Sequence, residues 1–135
     1  MSRPPGSREV LVRRARSNSG RLAEWRARLW FRLRGWRILA VRVRTPVGEI
    51  DFIARRGMTL AIVEVKQRRT LEEALAALMP RQRQRITRAT LLWLAGNPGL
   101  AGHEVRFDLV AVDARLRLHH VPAAWRADEV VSGRA

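Results

Sequence analysis

The amino-acid sequence predicts an α/β fold in which helices flank a mixed β-sheet. The first observation is the order of hydrophobic patterns: a helical period, three strand-like segments, a second helical region and a further strand. The second is an apolar fraction of 47%, enough for a packed core in a chain of 135 residues. The third is a helix between the third and fourth strands, which allows a parallel crossover in an otherwise antiparallel sheet.

The first helix is predicted to begin near Gly20, with Ser19 as its N-cap and Gly35 as its C-terminal stop. Its apolar residues recur at intervals of three and four, the period of one helix face: Leu22, Trp25, Leu29 and Leu33. We therefore expect this stripe to pack in the core, with Trp25 buried rather than serving as a base-stacking surface. Residues 1–18 are rich in Arg, Ser, Pro and Gly and are predicted to be a flexible basic segment.

Three strands are predicted next, over residues 36–44, 48–54 and 59–66. Apolar and polar residues alternate in the first, and Pro46 and Gly48 break the chain after it. The short link between the second and third strands contains Gly57, which favours an antiparallel hairpin.

A capping box predicts the start of the second helix, because Thr70 can cap the chain while Glu73 occupies the third helical position. Pro80 should interrupt or restart this helix. A further helical segment over residues 81–95 ends at the turn-forming run 96–99. The remaining predictions are a fourth strand, a short fifth strand and a frayed C-terminus, over residues 104–112, 116–121 and 128–135.

The formal net charge of +15 is unevenly distributed. Residues 1–45 contain 13 arginines against two acids, residues 46–80 are neutral, and residues 81–135 contain nine arginines against five acids. Such a field favours polyanions, whether nucleic acid, an anionic membrane surface or acidic proteins. A neutral segment between two basic ones fits a carboxylate-bearing site on a polyanion-binding surface, although an ordinary solvated basic surface has the same composition.

Cysteine is absent, which excludes disulfides and thiolate metal sites. The chain has no apolar run long enough to span a bilayer and no signal-peptide pattern near its start. We therefore expect a cytoplasmic protein that does not enter membranes.

Charged residues gather on the second and third predicted strands, because strand side chains alternate between faces. Glu49 and Asp51 share one face of the second strand, while Glu64 and Lys66 share one face of the third. In the shortest hairpin register, Glu49 lies opposite Glu64 with Asp51 diagonal to it. Lys66 is the only lysine among 27 basic residues, and its compact charge suits a water or phosphate oxygen.

Like charges facing each other across a sheet destabilise it unless something offsets them. A divalent cation does so, because Mg²⁺ and Mn²⁺ prefer carboxylate oxygens and water. The pattern predicts that Asp51 and Glu64 hold the cation, which polarises a scissile phosphate and lowers the pKa of a water. Lys66 would position that water or stabilise the charge growing on phosphorus. The alternative is a pair of exposed acids beside an ordinary surface lysine.

The segment GEIDFIARRGMTLAIVEVKQRRT, residues 48–70, closely resembles the signature of the YraN family of bacterial proteins. The resemblance extends through GRLAEWRARLWFRLRGWRILAVRVRTPVGEID, MPRQRQRITRATLLWLA and VRFDLVAVD, over residues 20–121. Members of that family are predicted to adopt the restriction-endonuclease-like PD-(D/E)XK fold. The resemblance therefore implies that residues 19–127 form an endonuclease-like domain, a mixed sheet flanked by helices.

The resemblance also implies roles for individual residues. Asp51 matches the motif aspartate, and Glu64 and Lys66 match the (D/E)XK element. Glu49 matches the acid that precedes the aspartate and joins these three as a candidate catalytic residue. Glu24 matches a glutamate of the first helix that can join the metal site in nucleases of similar fold, so the implied metal ligands are Asp51, Glu64 and Glu24.

Other polar residues are less clearly assigned. Gln82 and Gln84 stand on the helix after Pro80 where the family carries a lysine, which leaves a substrate contact there open. Asp108, beside Arg106 in an apolar strand, is interpreted as a structural group. The histidines lack the spacing of a metal or catalytic set and are expected on the surface: His103, His119 and His120.

Three functions follow from these patterns. The first is a metal-dependent nuclease that uses Mg²⁺ or Mn²⁺ and acts on nucleic acid, DNA in preference to RNA. The second is a non-catalytic nucleic-acid-binding module of the same fold, and the third, weaker one is a protein whose arginine surfaces meet acidic partners. Related folds often work as dimers, so a homodimer is among the expected states, although the sequence does not determine it.

Overall fold

The computed structural model describes residues 7–128, with side chains from residue 20 onward. It contains three α-helices, five strands and a short 3-10 turn. In chain order these elements are α1 (Ser7–Leu33), β1 (Arg37–Thr45), β2 (Gly48–Arg56), β3 (Thr59–Gln67), α2 (Leu71–Ala77), α3 (Pro80–Ala95), the turn Pro98–Leu100, β4 (Glu104–Val112) and β5 (Leu118–Trp125). None of the helices in this part of the chain is long and apolar enough to cross a membrane.

The five strands form one mixed sheet in the order β1-β2-β3-β4-β5. Neighbouring strands are antiparallel except for β3 and β4, which run parallel because α2 and α3 connect them as a crossover. The α/β class and the mixed sheet flanked by helices are therefore confirmed, and the arrangement is consistent with a restriction-endonuclease-like fold.

The helices pack on opposite faces of the sheet, which gives three layers. Helix α1 buries Phe31 against Phe52 and Val63 on one face. Helices α2 and α3 bury Leu78 and Ile86 against the other face. Because strand side chains alternate, neighbouring residues of β2 and β3 contribute to opposite cores: Ile53 and Ile62 to one, and Phe52 and Val63 to the other.

Helices α2 and α3 begin where the sequence predicted. The hydroxyl of Thr70 accepts a hydrogen bond from the Glu73 amide at 3.1 Å, as an N-cap does. Pro80 occupies the first turn of α3, where its missing N–H removes no helical hydrogen bond. Proline therefore restarts the helix here, so that α2 and α3 are separate elements.

The buried face of α1 is not the one predicted. Ala23, Ala27 and Phe31 are buried against the sheet. Leu22 and Trp25 are 48% and 47% exposed, so the prediction that Trp25 lies in the core is wrong. The alanines have little side-chain volume, which lets α1 approach the sheet closely, whereas the stripe of larger residues faces outward.

Helix α1 also begins earlier than predicted. It starts at Ser7, so Ser19 lies inside the helix and is not its N-cap. The residues between them include good helix formers and no proline or glycine, so nothing local stops the helix. The predicted flexible segment 1–18 lies partly outside the described residues, as does most of the predicted frayed segment 128–135.

The hairpin register of β2 and β3 differs from the predicted one, because both strands extend to a link of only two residues, Gly57 and Met58. Phe52 pairs with Val63 and Ile53 with Ile62, and continuing this alignment brings Asp51 level with Glu64. The prediction that Glu49 lies opposite Glu64 is therefore wrong. The cause is the turn after β2, where Gly57 has a φ of +60°, which favours a two-residue connection.

Candidate active site

Two carboxylates, those of half-buried Asp51 and buried Glu64, lie close to the single lysine where β2 begins and β3 ends. The Oδ2 atom of Asp51 accepts a hydrogen bond from the Val65 amide at 2.7 Å. The Nζ atom of Lys66 lies 3.4 Å from Oε1 of Glu64, and both side chains are largely buried. The structure thus brings together three of the four predicted catalytic residues, Asp51, Glu64 and Lys66.

Gln82, in the first turns of α3, fixes the orientation of Glu64. Its Nε2 atom donates a hydrogen bond to Oε1 of Glu64 at 2.9 Å. Sequence reasoning left the role of Gln82 open, because a helix position does not reveal which strand it will face. The amide therefore acts on the carboxylate of this chain, whatever it does toward a substrate.

Burial disfavours the ionised form of both carboxyl groups and so raises their pKa values. It raises the pKa of Glu64 to about 8, and the negative charge of Asp51 adds to the effect while Lys66 opposes it. It likewise raises the pKa of Asp51 to about 6, against the opposing hydrogen bond from the Val65 amide. Near neutral pH the pair therefore retains a proton unless an additional positive charge stabilises both anions.

Glu49 lies apart from this pair. Its side chain is 72% exposed, and its Oε1 atom lies 3.7 Å from Nε of Arg44. It borders the cavities on either side of Asp51, so it sits at the mouth of the site. Its predicted place opposite Glu64 is lost with the change of register, and its geometry does not favour a direct part in the chemistry.

Glu24 faces the same region from α1 but is paired with arginines. Its Oε2 atom accepts a hydrogen bond from Nε of Arg42 at 3.1 Å and lies 4.0 Å from Nη1 of Arg28. Arg42 has a φ of +52°, a left-handed conformation that is strained for arginine in a strand. The backbone is thus held in an unfavourable conformation at the residue that binds Glu24.

The site opens into a cleft made of two adjoining cavities that share Glu49 and Asp51. One, of about 300 Å³, is lined on the α1 side by Gly20, Arg21, Glu24, Arg42 and Arg44. The other, of about 310 Å³, is lined on the α3 side by Gly48, Glu64, Gln82, Arg85 and Ile86. The acids therefore lie between three arginines on the α1 side and Arg85 on the α3 side, which suits a phosphate chain crossing the cleft.

The cleft offers a divalent cation two carboxylates, those of Asp51 and Glu64. Within residues 7–128, no group of three or more His, Asp or Glu side chains lies close enough to hold a metal ion. Glu24 therefore does not complete a three-carboxylate set with Asp51 and Glu64. Mg²⁺ commonly uses only one or two carboxylates, with waters and substrate phosphates as its other ligands. Two carboxylates with raised pKa values fit such a cation, because it would stabilise both anions.

A second polar cluster lies on the α1 side of the sheet and was only partly foreseen. Asp108, fully buried, accepts hydrogen bonds from both Nε and Nη2 of Arg106 at 2.9 and 2.8 Å. It also contacts Nε2 of His120 at 2.7 Å and accepts from the Ala123 amide. The structural interpretation of Asp108 is confirmed, whereas the surface placement of His120 is wrong. The cluster joins β4 to β5 and takes no part in the cleft.

The fold and the site together define a class: an α/β protein of restriction-endonuclease-like architecture with two acids and a lysine on adjacent strands. Residues 23–112 match the uncharacterised protein family UPF0102, to which this chain belongs, as the YraN signature predicted. A UPF0102 protein of Paramagnetospirillum magneticum is 45% identical, covering 95% of this chain and all of the relative. UPF0102 proteins of Caulobacter vibrioides and Rhodopseudomonas palustris are 49% and 44% identical, covering 78% and 93% of this chain and 85% and 96% of the relatives.

Proposed function

We propose that this protein is a metal-dependent nuclease that hydrolyses phosphodiester bonds, with DNA as its substrate. The observation that carries the proposal is the pairing of half-buried Asp51 with buried Glu64, with Lys66 at 3.4 Å from Glu64. The pair lies in a cleft whose two ends carry arginines. Burying two like charges together is costly, and a cation-dependent reaction gives a physical reason for retaining them.

Each residue of the site has a distinct part in this proposal. Asp51 and Glu64 would hold Mg²⁺ or Mn²⁺, which when bound polarises the scissile phosphate and activates water for attack. The Val65 amide holds Asp51 in position, and Gln82 does the same for Glu64. The ammonium group of Lys66 stabilises negative charge that develops on the phosphate oxygens.

Proton loss is part of binding the cation. Because burial raises the pKa of Glu64 to about 8, its carboxyl oxygen carries a proton over much of the neutral range. That proton must leave when a cation is bound, so cation affinity increases as the pH rises toward 8.

Arginines line the cleft on either side of the two acids. Arg21 and Arg44 lie in the cavity beside α1, and Arg85 lies in the cavity beside α3. They bind the phosphates that flank the scissile one.

The proposal is tested by incubating labelled DNA with the protein in Mg²⁺, Mn²⁺ or a chelator. Asp51→Asn and Lys66→Ala are expected to lose cleavage by at least about 100-fold, because the first removes a ligand of the cation and the second removes the ammonium group that stabilises charge on the phosphate. Glu72→Gln, which neutralises an exposed acid on α2, is the matched control and should cleave normally. Circular dichroism and thermal unfolding establish that the variants remain folded. Cleavage at wild-type rate by folded Asp51→Asn would refute the proposal.

A non-catalytic nucleic-acid-binding module is the second candidate. It is favoured by the proton that Glu64 retains near neutral pH and by the lack of a three-acid metal group in the described part of the chain. This candidate requires salt-sensitive nucleic-acid binding that needs no divalent cation, together with no cleavage under any metal condition. Calorimetric titration with Mn²⁺, repeated with Glu64→Gln, separates the two candidates, because only the nuclease requires a cation at this carboxylate.

A further inference from the structure

Helix α1 presents a second apolar face that no other element of the described residues covers. Leu22, Trp25 and Leu33 lie on it and are 48%, 47% and 74% exposed, and Leu29 between them is half-buried. We name this the outer α1 face, formed by Arg21, Leu22, Trp25, Arg28, Leu29, Arg32 and Leu33. From Leu22 to Leu33 it extends about 16 Å along the helix axis, at about 1.5 Å per residue. An exposed apolar surface of this kind marks an interaction site.

The charge of this face is positive. Arg21 and Arg32 are exposed beside the apolar stripe, and Arg28, which is partly buried, lies at its edge. The single acid in this part of the helix, Glu24, is already paired with Arg42 and Arg28. The exposed apolar groups are therefore bordered by cationic side chains, and a polyanion complements them.

Trp25 differs from the tryptophans that the fold uses. Arg34 stacks over Trp30 at 3.7 Å, Arg56 covers Trp36 at 4.6 Å, and Trp125 is buried. The Trp25 ring has no aromatic or guanidinium partner among the side chains of residues 20–128. A large planar ring that is exposed between arginines has the properties of a stacking surface for nucleobases.

The outer α1 face is continuous with the cleft. Arg21 lies one helical turn before Trp25 and also lines the cavity that contains Asp51. Glu24, adjacent to Trp25 in the chain, lines the same cavity. A nucleic-acid strand whose phosphates occupy the cleft can therefore continue past Arg21 onto α1, where the carboxylate of Glu24 is already paired with Arg42 and Arg28.

We propose that the outer α1 face binds a single-stranded stretch of nucleic acid that leaves the cleft, with an unpaired base stacked on Trp25. The inference rests on the proposed function, since the cleft is what holds the neighbouring phosphates. In an intact duplex the bases are stacked on each other, so their faces cannot reach the ring. The preferred substrate is therefore nucleic acid with an unpaired segment. A second copy of this chain fits the face poorly, because it would bring the arginines of two highly basic molecules together.

The test uses fluorescence anisotropy with the full chain in a chelator, so that binding is measured without cleavage. The probes are a labelled single-stranded oligonucleotide and a blunt duplex of the same length. Trp25→Ala is expected to weaken single-strand binding by about 5- to 100-fold, and Trp25→Phe to weaken it much less, since phenylalanine retains a π-face. Duplex affinity should change less than about twofold. Leu91→Ala, which truncates a 61% exposed side chain on α3, is the matched control and should bind both probes normally.

Other results would overturn the inference. An unchanged single-strand affinity in Trp25→Ala, or an equal loss for both probes, would show that the ring does not read unpaired bases. A concentration-dependent dimer in sedimentation velocity that Trp25→Ala dissociates would assign the face to a second copy. If Trp25→Ala weakens single-strand binding but the wild-type protein cleaves DNA with none of the metals, only the proposed nuclease activity is refuted. If the wild-type protein cleaves DNA with a metal but Trp25→Ala binds the single strand normally, only this inference is refuted.

Discussion

At Glu64, burial and charge act against each other within one side chain. The carboxyl group is nearly inaccessible to water, yet it lies beside the carboxyl group of Asp51. It accepts a hydrogen bond from Gln82 and forms an ion pair with Lys66. Desolvation dominates, so the neutral form is favoured and the pKa rises to about 8. A single residue thus couples protonation to folding stability and, in the proposed function, to cation binding.

Glu64→Gln is expected to remove much of the pH dependence of stability between about pH 5 and pH 8. A carboxyl group whose pKa is raised in the folded state stabilises the protein below its ordinary pKa of 4.5, and this contribution is lost as the pH rises through about 8. An amide does not titrate, so the variant's thermal midpoint should vary less over this range. Unfolding scans from pH 5 to 9 measure it, with Glu49→Gln at an exposed position as control. Parallel curves for wild type and Glu64→Gln would contradict the assignment.

Arg42→Asn is expected to leave the free energy of unfolding unchanged or to raise it by up to about 1 kcal/mol. Arginine in a left-handed conformation costs about 1–2 kcal/mol, whereas asparagine adopts this conformation more readily. The ion pair with Glu24 that the variant loses is partly exposed and contributes about 0–1 kcal/mol. Urea denaturation measures the difference, and Arg44→Asn, two residues further along β1, should show no gain. A loss well above 1 kcal/mol in Arg42→Asn would mean that the ion pair outweighs the strain.

At the scale of elements, the cleft depends on how closely the helices approach the sheet. Ala23 and Ala27 let α1 pack against one face, and Gly48 lets α3 approach the start of β2 on the other. A Cβ atom at Gly48 would lie 2.7 Å from the carbonyl oxygen of Arg85. The same close approach positions Gln82 and Arg85 around Glu64, so packing and site geometry depend on one contact.

Gly48→Ala is expected to destabilise the protein by about 1–3 kcal/mol, because the backbone of α3 must move to admit the methyl group. Gly20→Ala is the control, since nothing lies within 4 Å of a Cβ at this helical position. It should stabilise α1 by about 0.5–1 kcal/mol. Thermal and urea unfolding measure both variants. Equal stability of Gly48→Ala and wild type would show that α3 can shift without cost.

At the scale of the whole molecule, the charge distribution is what the proposed nucleic-acid binding depends on. The formal net charge is +15, and the arginines of the cleft flank a small group of acids. A long-range positive field of this kind favours polyanions. In the proposed function, the arginines bind the nucleic acid and the acids hold the cation, so recognition and chemistry are assigned to different side chains within one cleft.

Binding to DNA in a chelator is expected to weaken steeply as salt rises, because each neutralised phosphate releases counterions. Arg21→Ala, Arg44→Ala and Arg85→Ala should each reduce the slope of log K against log salt by about 0.7–0.9. Arg126→Ala is the control, because β5 ends at the opposite end of the sheet from the cleft. Anisotropy at a series of salt concentrations measures the slopes. Equal slopes for all four variants would show that the phosphates of the DNA do not bind at these arginines.

Local patterns were sufficient for much of this protein. Periodicity, turn residues and one family signature predicted the order of the helices and strands and the mixed sheet. They also predicted that Asp51, Glu64 and Lys66 lie together on adjacent strands. Hydrophobic period and strand alternation depend on residues close together in the chain, so they can be recognised before folding is considered.

The features that only the tertiary structure determines involve contacts between residues far apart in the chain. It selected Ala23 and Ala27 rather than Leu22 and Trp25 as the buried face of α1, because the sheet accepts the stripe that allows close packing. It also placed Gln82 on Glu64, and the actual turn geometry shifted Glu49 away from that carboxylate. A helix with two apolar stripes, or a hairpin with two acceptable registers, is ambiguous by itself. Contacts across the sheet resolve the ambiguity, because only one choice fills the core and satisfies the buried polar groups.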